Sequence, residues 1–280
     1  MAPHRTIIEP GTADRHYWRD LWKFRGLFWF LAWRDILVRY KQTVIGVAWS
    51  VLRPLLTIGA MALIGWLFGS NVPTGVPRLL LVAAATLPWA FFSSAFSEAS
   101  GSLIANSNLL TKVYFPRMIV PASTVLVCLI DFFISFVILL VLMAVYRFAP
   151  GIEVLFLPLF LLLALITALG SGVLIAALNV KYRDFRYVVP FMVQFGLYIS
   201  PIAFSSADIY GNQRIPEALK VLYSMNPMVG VIDGFRWCLL GGSTPLHMPG
   251  FAISVGISLL LLVLGIRYFR STERSFADVI

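Results

Sequence analysis

The sequence is poor in charge and in cysteine. Of its 280 residues, 12% are charged, 59% are hydrophobic and 14% are aromatic, and the mean hydropathy is +0.85. Soluble domains carry roughly 25% charged residues, so this composition excludes a disordered chain and argues against a water-soluble enzyme. The two cysteines, Cys128 and Cys238, both lie in apolar sequence, which excludes a disulfide scaffold. The composition therefore predicts an integral membrane protein.

Motifs that would give the chain its own chemistry are also missing. No Gly-Lys dipeptide occurs, so the sequence has no phosphate-binding loop of the GxxxxGKS/T type. It has no GxSxG turn that would present a nucleophilic serine. The three histidines, His4, His16 and His247, are too scattered for a zinc site. We therefore expect no catalytic residue, no metal site and no cofactor in this chain.

Six apolar windows approach the length of about 20 residues that a helix needs to cross a membrane. They cover 47–68, 79–97, 120–146, 155–178, 188–204 and 251–269. The continuous apolar run from Leu155 to Ala168 excludes the alternating strands of a membrane barrel. The fifth window is short and contains Pro190 and Pro201, so we expect a broken or incomplete span there. The predicted fold class is all-α, a single transmembrane domain over 1–280 with six transmembrane helices.

The basic residues are distributed unequally between the two sides of these windows. Of the 22 lysines and arginines, 17 fall in or beside the segments before the first window and after the second, fourth and sixth. Because positive residues collect on the cytoplasmic side of membrane proteins, both termini are predicted to be cytoplasmic. The formal charge of +9 therefore reflects membrane topology, and no nucleic-acid partner is expected.

The segment before the first window has apolar and basic residues at helical spacing. A helix over 17–31 with one apolar face and one basic face is typical of a helix that lies in the membrane interface. A frayed tail beside the membrane is the alternative interpretation. The apolar face comprises Tyr17, Leu21, Phe24, Phe28 and Leu31, and the other face comprises Arg19, Lys23 and Gly26.

The cytoplasmic connection after the second window, 98–117, is too long for a tight turn and too polar to enter lipid. Within it, residues 106–112 predict a short helix, which the dipeptide Phe115–Pro116 ends. A connection on this side of the membrane is placed to contact a soluble partner. An ordinary connecting loop is the alternative.

The longest connection follows the fifth window and predicts two external helices. Residues 216–224 and 228–240 have helical patterns and are separated by Asn226–Pro227. The second helix is too apolar for a free loop, yet Asp233 and Arg236 make it a poor span. Two short helices that dip into the outer leaflet account for this composition.

Two features inside the windows leave alternatives open. Asp131 lies about eleven residues into the third window, where it is either a hydrogen-bonded structural acid or a proton-coupling group. Aromatic residues recur at helical spacing in the second and fifth windows and could line a path for a carbohydrate chain, because aromatic faces bind sugars with few directional bonds. Packed or lipid-facing aromatics are the alternative. The residues are Trp89, Phe92, Phe96, Phe191, Phe195 and Tyr198.

Four segments carry a resemblance to a known family. They are WRDILVRYKQTVIGVAWSVLRPLL (33–56), LLTKVYFPRMIVPAS (109–123), LNVKYRDFRYVVPF (178–191) and YSMNPMVGVIDGFRWCLLG (223–241). In this order they resemble the permease subunits of ATP-binding-cassette polysaccharide exporters. The similar group is the Wzm-type O-antigen exporters, with relatives that move teichoic acid and capsule. The resemblance extends over about 20 to 270.

The resemblance implies a homodimer with six spans that works with two copies of a separate cytoplasmic ATPase, which binds ATP and Mg. It implies an interface helix at 17–31, a coupling helix within 98–117 that sits on the ATPase, and gate helices within 214–240. It also favours a sugar-lined channel for the aromatic residues. The expected coupling residues are Asn108, Lys112, Tyr114, Phe115 and Arg117, and the expected gate residues are Asn226, Pro227, Asp233, Arg236 and Trp237.

Basic residues near the cytoplasmic surface are expected to attract the anionic pyrophosphate of an undecaprenyl lipid carrier. They are Arg34, Arg39, Lys41 and Arg53. Positive-inside topology alone is the alternative explanation for these four residues.

The expected function is export of lipid-linked, O-antigen-like polysaccharide from the cytoplasm across the bacterial inner membrane. Exporters of teichoic acid, capsule or small drugs are alternatives within the same superfamily. A membrane glycosyltransferase is a rival from another class. It is less favoured, because the sequence lacks the acidic DxD pairs that bind metal in such enzymes.

Overall fold

The computed structural model describes residues 17–41, 46–68, 72–73, 75–273 and 276, so both chain termini, His4 and His16 lie outside the described residues. Within these ranges the regular structure is entirely helical and has no strand, which confirms the predicted all-α class. The α-helices are α1 (Tyr17–Lys23), α2 (Arg25–Lys41), α3 (Gly46–Leu67), α4 (Arg78–Ala105), α5 (Ser107–Lys112), α6 (Ile119–Val145), α7 (Leu157–Lys181), α8 (Phe185–Ile199), α9 (Ser206–Tyr210), α10 (Glu217–Ser224), α11 (Pro227–Leu239) and α12 (Met248–Thr272). A 3₁₀ helix, Ile152–Phe156, leads into α7.

Four helical segments are long and apolar enough to cross a membrane: α4, α6, Ile152–Lys181 and α12. They correspond to the second, third, fourth and sixth predicted windows. The first and fifth windows correspond to shorter apolar helices, Val51–Leu67 within α3 and α8. The protein is therefore a multi-pass membrane protein with four candidate spans in its described part.

The fifth window forms a helix that starts earlier and ends earlier than predicted. α8 covers Phe185–Ile199, whereas the window extends from 188 to 204. Pro190 is accommodated inside the helix, but Pro201 follows its end. Because Pro201 has no backbone N–H, it cannot extend the helix, and the chain turns instead with a hydrogen bond from Ile202 N to Ser200 O (2.7 Å).

The second window forms a helix that continues into the predicted cytoplasmic connection. α4 ends at Ala105, so the first part of 98–117 is helix rather than loop. The hydroxyl groups of its serines form hydrogen bonds within the helix, since Ser100 donates to Phe96 O and Ser102 to Ala99 O. The polar composition of this stretch is therefore compatible with a continuous helix. The short helix expected over 106–112 corresponds to α5.

The N-terminal helices extend further than predicted, and their faces are used differently. α2 continues to Lys41, beyond the predicted 17–31. The face predicted to be apolar packs against the protein, with Tyr17 and Leu31 buried in one cluster with the start of α6 and the end of α12. Tryptophan favours the membrane interface, so the opposite face is the one suited to lipid. That exposed face carries Trp18, Trp22, Trp29, Phe30 and Trp33.

α4 is the central helix of the bundle, with contacts to α3, α6, α7, α8 and α11. Small residues at its surface let the neighbouring helices approach closely, which is how helices associate when lipid surrounds them. Each of these residues is at most 1% exposed: Ala83, Ala84, Ala85, Ala95 and Ala99.

α7 and α12 cross at two glycines. A Cβ atom added to Gly265 would overlap the backbone oxygen of Gly170, and one added to Gly170 would overlap the backbone of Leu262. The two helices therefore touch through their backbones. Close by, the Thr167 hydroxyl donates to Ser258 Oγ at 2.8 Å across the same crossing.

We expect Gly265→Ala to destabilise the protein by about 1–3 kcal/mol, because the added methyl group must push α12 away from α7. Gly256→Ala in the same helix is the matched control, since a Cβ atom there meets no atom of the described structure within 4 Å. Thermal unfolding of the solubilised chain, followed by tryptophan fluorescence, measures the difference. Equal unfolding midpoints for the two variants would contradict the close crossing.

Candidate functional site

An ion-pair network joins α2 to α4 and α6. Arg39 on α2 places Nη1 2.7 Å from Asp131 Oδ2 on α6 and Nη2 2.7 Å from Glu98 Oε1 on α4. The Tyr40 hydroxyl donates to the other oxygen of Asp131. Asp131 lies about 18 Å along α6 from its start at 1.5 Å per residue. An acid at this depth therefore has a cationic partner, which favours the structural alternative over the proton-coupling one.

The predicted coupling residues fall into an exposed group and an anchored group. Asn108, Lys112 and Tyr114 are exposed, and the Tyr114 side chain is 61% accessible. Phe115 is 4% exposed and packs into the cluster that contains Leu31. The loop around α5 therefore has a free tip, formed by the three exposed side chains, while its base and the inner side of α5 are part of the protein interior.

The base of this loop is held by the end of α12. Glu273 Oε1 accepts a hydrogen bond from the Arg117 backbone N–H at 2.6 Å, and Arg117 Nη1 donates to the Glu273 backbone oxygen at 2.6 Å. Tyr17 lies beside the same carboxylate, and the Arg270 guanidinium stands 4.9 Å from the Tyr17 ring centroid. Burial raises the pKa of Glu273, although the contacts with Arg117 oppose the shift. Arg117 thus positions the loop from inside the protein.

The predicted gate residues are packed rather than exposed. Asn226 caps α11 by accepting a hydrogen bond from Met228 N at 3.0 Å, with Pro227 in the first turn. Its Nδ2 donates to Ser200 Oγ at 3.0 Å, which ties α11 to the turn after α8. Trp237 packs against Phe156 with ring centroids 5.7 Å apart. α11 packs against α4, α7 and α12, so it is part of the helical bundle.

Arg236 is the most deeply placed charge in this region, at 1% exposure. Its guanidinium donates to three backbone oxygens, those of Leu81 (3.1 Å), Ile202 (2.9 Å) and Phe204 (2.8 Å). Burial raises the pKa of Asp233 to about 6, although a hydrogen bond with Ser206 and the charge of Arg236 lower it. Arg236 therefore fixes the turn after α8 against the start of α4.

The six predicted channel aromatics do not share one environment. Trp89 and Phe96 on α4 are 5% and 2% exposed and belong to the protein interior. The three residues of α8 point outward: Phe191, Phe195 and Tyr198 are 58%, 53% and 59% exposed. Their row begins with a close pair, since the Phe191 and Phe195 ring centroids are 4.3 Å apart.

The four basic residues predicted to attract the carrier pyrophosphate have different environments. Arg34 is bound to Asp35 at 2.7 Å and donates to Asn106 Oδ1 at 2.9 Å. Arg39 is held in the network with Asp131. Lys41 and Arg53 are exposed. Two of the four side chains are therefore used in contacts between helices, and two are accessible.

Three residues that position these sites were not predicted: Glu98, Tyr40 and Glu273. A signal for Glu98 was available, because it is the only acidic residue in the sequence of α4, and an acid in an apolar helix needs a partner. Glu273 lies in a polar tail, where a carboxylate gives no such signal.

The helical bundle and its long apolar helices define a multi-pass membrane protein. The sequence pattern of the ABC-2 type transporter family matches residues 26–240. The chain therefore belongs to the ABC-2 type transporter family and is a transport permease rather than an enzyme.

Three relatives are similar along nearly the whole chain. The "O-antigen export system permease protein RfbA" of Myxococcus xanthus is 27% identical over 263 residues, which cover 94% of this chain and 98% of that protein. Two proteins of the same name from Klebsiella pneumoniae are 26% identical over 250 residues, which cover 88% of this chain and 92% of each of them.

We expect Asp131→Asn and Arg39→Gln each to lower stability by roughly 1–3 kcal/mol, because each leaves a half-buried charge with one partner fewer. The double variant should lose less than the sum of the two. Thermal unfolding of the four proteins measures this coupling. A proton-coupling role would instead shift the pH dependence of transport and leave stability unchanged.

The exposed pair of Lys23 and Asp20, with side chains 61% and 36% accessible, is the matched control. The double-mutant cycle Lys23→Gln with Asp20→Asn should show a coupling of about 0.5 kcal/mol or less. Strictly additive losses at Arg39 and Asp131 would contradict a stabilising ion pair between α2 and α6.

Proposed function

We propose that the chain is the membrane subunit of an ATP-driven exporter that moves lipid-linked, O-antigen-like polysaccharide from the cytoplasm across the inner membrane. Two copies of the chain would form the pathway, and two copies of a cytoplasmic ABC ATPase would bind ATP and Mg. The observation that carries this proposal is the collinear similarity to O-antigen export permeases, which covers 94% of this chain and 98% of the Myxococcus xanthus protein.

In this proposal α3 and α8 complete six spans, both termini are cytoplasmic, and the tryptophan face of α1 and α2 meets the membrane interface. α10 and α11 would form the external gate. This role is supported by the contacts of Arg236, which couple α11 to the turn where α8 ends. A movement of α11 would therefore act directly on α8.

The proposed pathway uses the outward row of α8. Phe191, Phe195 and Tyr198 offer aromatic faces that a second copy of the chain would enclose. Aromatic faces bind the C–H faces of sugars by dispersion and impose few directional bonds, so a polymer is able to slide past them. Lys41 and Arg53 are the accessible basic residues that would attract the carrier pyrophosphate.

Complementation tests the proposed function. In a bacterium whose O-antigen export permease is deleted, expression of this chain together with its ATPase should restore polysaccharide at the cell surface, as detected with a glycan antibody on intact cells. An ATPase partner that cannot hydrolyse ATP should abolish the signal. Surface teichoic acid or capsule in place of O-antigen would favour those alternatives. Sugar transfer by the purified chain without the ATPase would overturn the proposed export function.

The free loop tip is the proposed contact with the ATPase, and Lys112 is its exposed charge. We expect Lys112→Glu to weaken co-purification of the ATPase about tenfold, because a reversed charge that costs about 1.4 kcal/mol at an interface lowers the affinity by that factor. Arg214→Glu, an equally exposed charge reversal in the connection after α9, is the control and should leave co-purification unchanged. Wild-type co-purification of Lys112→Glu would remove the coupling assignment.

A further inference from the structure

A cleft of about 620 Å³ lies between α4 and α8, with α7 at its floor. Its walls are single stripes of the two helices, spaced three and four residues apart: 97 to 105 on α4 and 186 to 194 on α8. The α4 stripe consists mostly of residues with small side chains, and a Cβ atom added to Gly101 would meet nothing within 4 Å. A cleft of this size is in the range that binds small ligands.

The cleft has a few polar groups in a mainly apolar lining. Ser97 and Gln194 are exposed at one end of the stripes, and Asn179 is buried at 3% exposure. The Asn179 Nδ2 atom donates to Ser100 O at 3.0 Å. Its Oδ1 atom is buried and accepts no hydrogen bond from the residues that the structure describes. The floor of the cleft is therefore formed by a buried amide that joins α7 to α4 and whose oxygen is not accessible from the cleft.

A single charged residue lines the cleft. Arg186 is exposed at the α8 end that joins the basic segment 181–186. Among the described residues no carboxylate lies within 4.0 Å of its guanidinium, and neighbouring Asp184 is not paired with it. A free guanidinium binds phosphate and carboxylate groups through paired hydrogen bonds.

The cleft is closed towards the middle of the bundle. Phe96 and Val189 pack together with Ile175 and join α4, α7 and α8 beyond the polar stripe. Further along, the Trp89 ring lies against Gly196, where a Cβ atom would be 2.5 Å from the ring. A ligand in the cleft would therefore reach the polar groups and stop before these aromatic contacts.

We propose that this cleft binds an anionic sugar, with the negative group on Arg186 and the sugar hydroxyl groups on Ser97 and Gln194. The inference rests on the proposed export of a glycan. A cation at one end of the cleft, with hydroxyl and amide groups at the other, is the complement of a sugar that carries one phosphate or carboxylate. The group is either the phosphate that links a glycan to its lipid or an acidic sugar within the polymer.

Protection of an introduced thiol tests this site. In Gly101→Cys the thiol points into the cleft, and the native cysteines, Cys128 and Cys238, are buried and should react slowly. The full chain in nanodiscs is labelled with a maleimide in the presence of glucose 1-phosphate, glucuronate, glucose or inorganic phosphate. We expect at least one of the anionic sugars to slow labelling several-fold, and glucose and inorganic phosphate to have a much smaller effect.

The two anionic probes separate the sources of the charge. Protection by glucose 1-phosphate alone assigns the site to the lipid-linked phosphate, and protection by glucuronate alone assigns it to an acidic sugar. Arg186→Gln should abolish protection and Arg186→Lys should retain part of it. Ser271→Cys, an exposed thiol at the end of α12, should be labelled at the same rate with every probe.

Labelling that no anionic sugar slows, or protection that survives in Arg186→Gln, would overturn the site. Equal protection by inorganic phosphate would also overturn it, since the sugar would then contribute nothing. Failure of the proposed function is distinguished by complementation. If the chain restores surface glycan but shows no protection, only the proposed binding site is wrong. If the chain is protected but exports no glycan, the proposed export function is wrong.

Discussion

The close packing of small side chains on α4 is the constraint on which the other features depend. Ala83, Ala84 and Ala95 are at most 1% exposed, so neighbouring helices approach the α4 backbone itself. This approach brings the Leu81 carbonyl to Arg236 at the start of α4 and the Glu98 carboxylate to Arg39 near its end. The same small surface, at Gly101, leaves the open cleft against α8. Larger residues along α4 would displace both charge contacts and fill the cleft.

Arg236 and Arg39 differ in the groups that stabilise their charge. Arg236 donates to backbone oxygens of α4 and of the turn after α8, and its removal would leave the backbone oxygens of Ile202 and Phe204 without this donor. Arg39 is bound by two carboxylates whose side chains are 50% and 30% accessible, so water is able to replace part of its partners. The Arg39 contact is therefore the one that is able to open at modest cost, while Arg236 holds α11, the turn after α8 and the start of α4 together.

Hydropathy located every apolar helix, because the length of an apolar run is a local property of the chain. It did not locate the ends of helices, which depend on hydrogen bonds that composition does not report. α4 continues through a serine-rich stretch because Ser100 and Ser102 bond to their own helix. It also did not show which face meets the protein: Tyr17 of the predicted apolar face packs against the end of α12, while the tryptophans face outward. Partner choice, such as Glu273 with Arg117, depends on residues 156 positions apart and has no local signal.

The predicted coupling residues divide the loop around α5 into an anchored base and an exposed tip, which suits the loop to transmit movement. Its base cannot move independently, because Phe115 is buried and Arg117 is bonded twice to Glu273 at the end of α12. Its tip, with Lys112 and Tyr114, is free. A push on the tip by the proposed ATPase would therefore be carried through the base into α6, which begins two residues after Arg117, and into α12. α6 also holds Asp131, so the same push would reach the Arg39 network. A rigid base under an exposed tip is the arrangement that transmits force instead of absorbing it.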